Sequence, residues 1–283
     1  MGRHIRIRAW VKFLVFIIFL SLCIFFYGHF IEPKDYITKE YNVINSNIPS
    51  SFYGFKIVQI SDIKYKSSIK KEDLKKTVEE INILKPDIVV LSGDLLDKKQ
   101  KYNDKDINDL KNILKSINSN IDKFAIKGDN DTNKKWEAII DYSGFINLND
   151  KYEFIYNDGL EPILIVGISS NSKNNHIKKT IDKIYNDINI EYKYSILVLH
   201  EPDFINYIDY SKFNLILAGH SLNGKIKLPY IGGIIKDKYS KIYYDEYYKL
   251  DNTDMYISSG IGSDIKFRLF NKPSISLYRL RNK

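Results

Sequence analysis

The chain has 283 residues, of which 44% are hydrophobic and 28% are charged, and this is the composition of a globular protein with a real core. The formal net charge is +8, but the lysines alternate with acidic residues, as in SIKKEDLKKTVEE, and form no basic block. This pattern is typical of a solvated surface, so we do not expect a nucleic-acid partner. The single cysteine, Cys23, excludes an internal disulfide and a cysteine-based zinc site.

The first predicted element is an apolar run at 10–31, WVKFLVFIIFLSLCIFFYGHFI, whose only charge is Lys12. As a helix of ~1.5 Å per residue it reaches roughly 33 Å, enough to cross a hydrocarbon core of ~30 Å. A buried core helix is the alternative, but the preceding GRHIRIR contains three arginines. Those charges predict a cytoplasmic segment at 1–9. No small-residue cleavage site is evident, so we predict a single-pass signal-anchor in the cell membrane with an extracytoplasmic domain.

After the anchor, a polar connector at 32–52 has room for a first strand, and one domain fills 53–283. Its short β-rich runs are 55–62, 87–94, 124–129, 163–169, 194–200, 214–220, 255–260 and 274–280. The helical stretches between them are 69–84, 105–118, 133–142 and 175–187. Apolar strands that alternate with helices indicate α/β layers around a largely buried sheet.

Five of the β-rich runs end in an acidic or imidazole residue. These residues are Asp62, Asp94, Asp129, His200 and His220. Ligands of α/β folds bind at the carboxyl ends of strands. A single Asp there is most often a turn or cap residue, whereas five such groups together would repel and desolvate one another without a cation. The strand ends therefore predict a metal site.

A competing motif lies in the same region. The segment GHSLNGK at 219–225 fits the opening of a P-loop. The next residue is Ile226 and not the Ser or Thr that would bind magnesium, and the residues that follow do not begin a helix. We therefore reject a nucleotide-binding loop here.

The segments SDIKY, SGDLLD, KGDND, LVLHEPDF and LAGHSLNGKIKLPYIGG occur in this order along the chain. Together they resemble the calcineurin-like metallophosphoesterases, in particular a bacterial membrane-anchored branch, with D-x-H, G-D-x-x-D, G-N-H-D, a His before Pro, and G-H-x-H. The resemblance covers about residues 50–280. It implies a four-layer α/β sandwich, two mixed sheets flanked by helices, preceded by one transmembrane helix. It also implies two metal ions that activate a water for attack on phosphorus.

Carried over by position, the resemblance implies that the second metal is bound by Asp94, Asp129, His200 and His220. All four can still coordinate a cation, although Asp129 replaces the family's asparagine. The histidine that assists the chemistry in the family is Asn130 here. Asn130 cannot supply or accept a proton, so we assign no catalytic residue.

The first metal of the family should be bound by the positions of Asp62, Lys64, Asp94 and Leu222. Two of these four cannot act as ligands, and Lys64 brings a positive charge instead. We therefore predict a degenerate dimetal site with one divalent cation, Mn, Zn or Fe, and no second metal. Either the Lys64 ammonium stands in for the lost ion, or the site has drifted without selection.

Two functions remain open from the sequence. The first is a tethered phosphoester hydrolase whose activity is weak, dependent on one metal, or lost. The second is a non-catalytic binding module, a pseudo-phosphoesterase, that holds a metal, a phosphate group or a protein partner. In both, the membrane is a partner through the N-terminal helix, and a phosphate-containing molecule is the expected ligand.

Overall fold

The computed structural model describes residues 2–132, 134–170 and 174–283. Its helices are α1 Gly2–Phe26, α2 Lys71–Leu84, α3 Asp104–Lys115, α4 Trp136–Tyr142 and α5 Asn174–Asp187. Its strands are β1 Ile37–Ile44, β2 Lys56–Ile60, β3 Ile88–Ser92, β4 Asp122–Ile126, β5 Ile146–Asn147, β6 Lys151–Ile155, β7 Ile163–Ile168, β8 Tyr194–Leu199, β9 Leu215–Ala218, β10 Lys227–Leu228, β11 Gly232–Gly233, β12 Tyr247–Leu250, β13 Thr253–Ile257 and β14 Ser274–Arg281. Each predicted helix and strand of the domain matches one of these elements, and only residue 133 of the predicted helix 133–142 lies outside the described residues.

Two mixed sheets of six strands each form the centre of the domain. Their strand orders are β1-β14-β2-β3-β4-β5 and β12-β13-β9-β8-β7-β6. In the first sheet β2, β3 and β4 run parallel, and in the second β7, β8 and β9 do so. Parallel neighbours present their carboxyl ends at one edge of each sheet, and the loops at these ends carry the polar residues predicted from the sequence.

Three apolar clusters separate the layers. One cluster contains Val90 and Phe124 of the first sheet together with Ile165 and Val198 of the second, so the sheets pack face to face. A second cluster joins the first sheet to α2, α3 and α4, and a third joins the second sheet to α5. The order helices, sheet, sheet, helix confirms the predicted four-layer α/β fold.

Helix α3 illustrates how the sequence specifies these layers. Ile107, Leu110 and Leu114 recur at helical spacing and are buried against the first sheet. The helix begins with a capping box in which the Asp106 N–H donates to Asn103 Oδ1 at 2.8 Å and the Asn103 N–H donates to Asp106 Oδ2 at 3.0 Å. Both bonds satisfy backbone donors that the first helical turn leaves free.

Strand β1 lies inside the predicted connector 32–52 and belongs to the domain. It pairs in parallel with β14 from Ile37 opposite Ser274 to Ile44 opposite Arg281. The first sheet therefore begins at Ile37, within the predicted connector that has room for a first strand. In ITKEYNVI polar and apolar residues alternate, since β1 is an edge strand with alternate residues exposed.

Helix α1 stands apart from the domain core. A stretch of 26 residues, Ala9–Lys34, is long enough to cross a membrane, and the mean hydropathy of its most apolar 18-residue window is 2.6. None of its most apolar window is buried in the protein, and Phe16 and Phe19 are 59% and 64% exposed. This exposure excludes a buried core helix, since such a helix would pack its apolar side chains. Retention of the anchor and its orientation stay predictions.

Candidate metal centre

The five acidic and imidazole residues predicted from the strand ends come together in the folded chain. Asp62, Asp94 and Asp129 follow strands of the first sheet, and His200 and His220 follow strands of the second. They form two overlapping groups, one of Asp129, His200 and His220 and the other of Asp62, Asp94 and His200. Within each group the candidate ligand atoms lie within 4.8 Å of one another.

Sharp turns in the backbone aim these side chains into one place. Asp62, Asp94 and His220 have φ angles of 54°, 55° and 65°, a left-handed region that residues with a side chain seldom adopt. The neighbouring loops support one another, since the Asp62 N–H donates to Gly93 O at 3.0 Å and the Lys64 N–H donates to Asp94 O at 2.9 Å. Backbone strain of this kind costs about 1–3 kcal/mol per residue and is concentrated at functional sites.

The group of Asp129, His200 and His220 has a spacing close to that of a cation site. His200 Nε2 lies 3.8 Å from Asp129 Oδ1, and His220 Nδ1 lies 3.4 Å from the same oxygen. Ligand atoms bound at ~2.1 Å around a tetrahedral ion are separated by roughly 3.4 Å. His200 Nε2 also lies 3.4 Å from Asp94 Oδ1, so Asp94 adjoins this group through His200.

Both histidines are oriented as metal ligands usually are. His200 Nδ1 lies 2.8 Å from Ser92 O, and His220 Nε2 lies 2.7 Å from Lys238 O. A carbonyl oxygen only accepts, so each ring donates this N–H and turns its other nitrogen toward the carboxylates. His200 Nε2 is buried and has no hydrogen-bond partner among the described residues. Burial opposes a positive charge, but the charges of Asp94 and Asp62 outweigh it and raise the pKa of His200, so a proton competes with a cation at this nitrogen.

On the other side of Asp94 lies an ammonium group. Lys64 Nζ lies 3.0 Å from Asp94 Oδ2 and 4.0 Å from Asp62 Oδ1. Lys64 is only 6% exposed. Burial would lower the pKa of Lys64, but the charges of Asp94 and Asp62 outweigh this effect and raise the pKa, so the side chain stays charged. Lys64 therefore offsets the negative charge of Asp62 and Asp94.

Two carboxylates of the site are held in their ionised form. Burial favours the protonated form of Asp94, but the charges of His200 and Lys64 outweigh it and hold the pKa of this carboxyl well below its ordinary value. At Asp129, burial is likewise outweighed by a hydrogen bond to His220, and the pKa is lowered. The only described cation besides Lys64 within ion-pair distance of these two carboxylates, other than the histidines, is the half-exposed Lys98, 3.0 Å from Asp129 Oδ2. The site therefore retains an affinity for positive charge.

The two remaining substituted positions have acquired structural contacts. Leu222 is fully buried, and its side chain and that of Asp62 both crowd Gly260, where an added Cβ would lie 2.3 Å from Leu222 Cδ2. Asn130 Nδ2 donates to Asp94 Oδ2 at 2.6 Å, and the Asn130 N–H donates to Asp94 Oδ1 at 2.9 Å. Asn130 thus orients the Asp94 carboxylate, and its amide group neither supplies nor accepts a proton.

Comparison with known proteins identifies the family. Residues 55–224 match the calcineurin-like phosphoesterase domain. The chain belongs to this family. The match includes all of the clustered acidic and imidazole residues, and it confirms the resemblance inferred from the ordered motifs.

Several relatives are similar over most of the chain. An uncharacterized metallophosphoesterase of Bacillus subtilis, YkuE, is 30% identical over 90% of this chain and 89% of its own length. A Chlamydia muridarum protein named UDP-2,3-diacylglucosamine pyrophosphatase LpxG is 23% identical over 82% of this chain and 86% of its own length. Among solved structures, Haemophilus influenzae NAD nucleotidase (NadN) aligns with a TM-score of 0.45 and 13% identity, covering 74% of this chain and 46% of that chain.

Asp131, the last residue of the KGDND segment, has a structural role that the ordered motifs do not indicate. Its buried carboxylate accepts the backbone N–H groups of Leu96 at 2.8 Å and Gly128 at 2.9 Å. Burial and the charge of Asp94 raise the pKa of Asp131 to about 7. Asp131 therefore joins the loop after β3 to the loop after β4. The only sequence feature that could have indicated this role is the acidic residue at the end of the KGDND motif.

Arg268 was also missed, and no local sequence signal marks it. Its side chain is 1% exposed and donates to the carbonyl oxygens of Ser259 at 2.8 Å and Gly262 at 2.7 Å. The Gly262 N–H in turn donates to Asp62 O at 2.7 Å. Arg268 thus stabilises the loop after β13 that packs against the Asp62 turn.

Proposed function

We propose that this protein is a membrane-anchored member of the calcineurin-like phosphoesterase family that binds one divalent cation, Mn, Zn or Fe, and a phosphate-containing ligand. We further propose that its hydrolytic activity is weak or lost. The observation that carries this proposal is the Lys64 ammonium 3.0 Å from Asp94, beside an intact group of ligand atoms on the opposite side of the same carboxylate.

In this proposal Asp94, Asp129, His200 and His220 bind the cation. A bound divalent ion polarises a phosphoryl oxygen and lowers the pKa of a bound water. The Lys64 ammonium, held by Asp94, adds a fixed positive charge that favours the phosphate oxygens of a ligand.

The proposed loss of activity follows from two groups. Asn130 donates hydrogen bonds but transfers no proton, and general acid–base catalysis is typically worth 10²–10⁴-fold in rate, as an order-of-magnitude estimate. The fully buried Leu222 offers no ligand for a second ion, so the pair of metals that clamps attacking and leaving oxygens is not formed. These changes favour a binding role as the second candidate function.

We place the ligand near the membrane. The apolar stretch Ala9–Lys34 supports an anchor that holds the domain at the lipid surface. The three arginines before it support a cytoplasmic segment at 1–9 and an extracytoplasmic domain. Two of the relatives are named UDP-2,3-diacylglucosamine pyrophosphatases, which supports a phosphate-containing lipid as the class of ligand.

The test counts metal ions and measures hydrolysis with the full chain in detergent. The protein is loaded with Mn, Zn or Fe, desalted and assayed by elemental analysis, and hydrolysis of bis-p-nitrophenyl phosphate is followed in parallel. The wild type should bind one ion per chain and His200→Ala none. The exposed His176 provides the matched control, since His176→Ala should still bind one ion.

Two bound ions in the wild type would contradict the one-cation site. Metal-dependent hydrolysis that His200→Ala abolishes would establish a surviving enzyme. Binding of one ion without turnover would establish the non-catalytic module.

A further inference from the structure

The end of the anchor is fastened to one segment of the domain, residues 266–271, which we call the collar. The Arg268 N–H donates to Gly28 O at 2.9 Å, and the rings of Phe25 and Phe267 stack with centroids 6.1 Å apart. A Cβ added at Gly28 would lie 2.6 Å from the Phe267 ring, so the anchor end and the collar are in direct contact. The collar therefore lies where the apolar helix meets the domain.

A buried carboxylate completes this junction. Glu32 is 1% exposed, and its side chain accepts the N–H groups of Phe270, at 3.0 Å, and Asn271. Burial of a carboxylate is costly unless hydrogen bonds compensate for it, and these two donors do so. The position of the domain relative to α1 is thus defined by several contacts.

The β10–β11 hairpin extends from the same collar. The Lys227 N–H donates to Leu269 O at 2.8 Å, which ties the start of the hairpin to the residue before Phe270. Its tip carries Tyr230 and Ile231, with exposures of 108% and 71%. Phe270 itself is 62% exposed. We call Tyr230, Ile231 and Phe270 the apolar tip.

Exposed lysines occur in the segments that adjoin the apolar tip. Four lysines of the anchor end, the collar and the residues after the hairpin form no ion pair among the described residues: Lys34, Lys236, Lys238 and Lys266. Three acidic residues of the same segments are engaged in ion pairs. They pair as Asp35 with Lys272, and as Asp237 and Asp264 with Lys225.

Exposed apolar and aromatic side chains with lysines in the adjoining segments, next to a helix that is long and apolar enough to cross a membrane, match the chemistry of an anionic bilayer surface. We propose that the apolar tip inserts into the headgroup region of the bilayer that α1 crosses. This inference rests on the proposed anchor. With α1 as the first contact with the bilayer and the apolar tip as the second, one defined face of the domain would lie against the lipid.

The hairpin also connects this surface to the candidate metal centre. The chain that leaves the hairpin supplies Lys238 O, which accepts the hydrogen bond from His220 Nε2 at 2.7 Å. At the base of the hairpin, Gly224 and Gly233 approach so closely that a Cβ on Gly224 would lie 2.4 Å from Gly233 Cα. Insertion of the tip would therefore hold the metal centre beside the headgroups.

The experiment measures contact with lipid by spin labelling of the full chain in nanodiscs of phosphatidylcholine and phosphatidylglycerol. Cys23 is the single cysteine of the chain, and its label reports on the anchor. Cys23→Ser provides the background for Ile231→Cys at the tip and for Leu160→Cys as the matched control. Leu160 is also apolar and is 95% exposed, but it lies in the β6–β7 loop. Collision with oxygen, which partitions into lipid, is compared with collision with a water-soluble nickel chelate.

We expect the ratio of oxygen to nickel collisions at 231 to be several-fold higher than at 160 and to approach the ratio at Cys23. A label at 231 that collides with nickel as often as the label at 160 overturns the insertion. A label at 231 that is shielded from both reagents also overturns it and indicates a protein partner. A water-exposed label at Cys23 would refute the anchor itself, whereas a lipid-exposed Cys23 with a water-exposed 231 refutes only this inference.

Discussion

The two halves of the candidate metal centre share the Asp94 carboxylate, but a different kind of group faces it in each half. On one side Asp94 Oδ1 faces His200 Nε2 at 3.4 Å, within a group of ligand atoms spaced for one cation. On the other side Asp94 Oδ2 faces the Lys64 ammonium at 3.0 Å. The difference shows that one buried carboxylate can face potential cation ligands on one side and an ammonium on the other.

Both halves retain the same backbone geometry. In the first half Lys64 and Leu222 have φ angles of 46° and 50°, and in the second half His220 has 65°. Lys64 and Leu222 thus lie on sharp turns like that of His220, although the side chain of neither is a usual cation ligand. The loops after the strands therefore define the shape of the centre.

The largest effect is expected from removing the ammonium. Lys64→Met leaves the fully buried carboxylates of Asp62 and Asp94 without their cation, and breaking a buried ion pair costs about 3–5 kcal/mol. We expect the free energy of unfolding in chelator to fall by this amount, measured by urea denaturation of the detergent-solubilised chain with near-UV circular dichroism.

Lys98→Met is the matched control, because Lys98 also pairs with a carboxylate of the site, Asp129, but its side chain is 44% exposed. An exposed pair contributes about 0–1 kcal/mol. Equal losses in the two variants would show that Lys64 does not replace a cation.

Restoring ligands on the Lys64 side of Asp94 would test whether the side chains alone account for the difference between the two halves. In a triple variant, Lys64→His, Leu222→His and Asn130→His, the lost ligands and the proton donor return on turns that still have the required backbone geometry. We expect a second ion per chain and a rise of about 100-fold or more in the rate of phosphodiester hydrolysis, since acid–base assistance alone is worth that much.

The variant Asn130→His alone is the control, because it restores the proton donor without the second ion. If the triple variant still binds one ion, the two halves differ in more than their side chains, and their backbone geometry is not equivalent for binding a cation.

A smaller effect is expected in the second half from Asp129→Asn, which installs the residue found in the family. The change removes one negative charge from the group around His220, 3.4 Å from Asp129 Oδ1. Because cation affinity depends on the number of charged ligands, we expect the dissociation constant to rise about tenfold in a calorimetric titration with manganese. Glu161→Gln, in an exposed pair with Lys193, should leave the constant unchanged.

Much of the fold and of the site could be predicted from the sequence. Apolar runs such as DIVVLSGD fix both the strand and the position of Asp94 at its end, since a strand buried on both faces needs apolar residues throughout. The ordered motifs predicted the grouping of the two histidines with the carboxylates. The sequence left room for strand β1 within 32–52 but gave no bounds for it, because an edge strand alternates polar and apolar residues and resembles a linker.

The sequence by itself thus determined the layered fold, the apolar N-terminal helix and the residue types available to bind a cation. These properties depend on local pattern and on the order of the motifs along the chain. The tertiary structure decided the rest. It placed the Lys64 ammonium 3.0 Å from Asp94 Oδ2. It also placed the Arg268 side chain where it stabilises the loop beside the Asp62 turn. Finally, it brought Glu32, the residue after the apolar run, into hydrogen-bond contact with Phe270 of the collar. These contacts join residues of separate elements, and only packing brings such residues within hydrogen-bond or ion-pair distance.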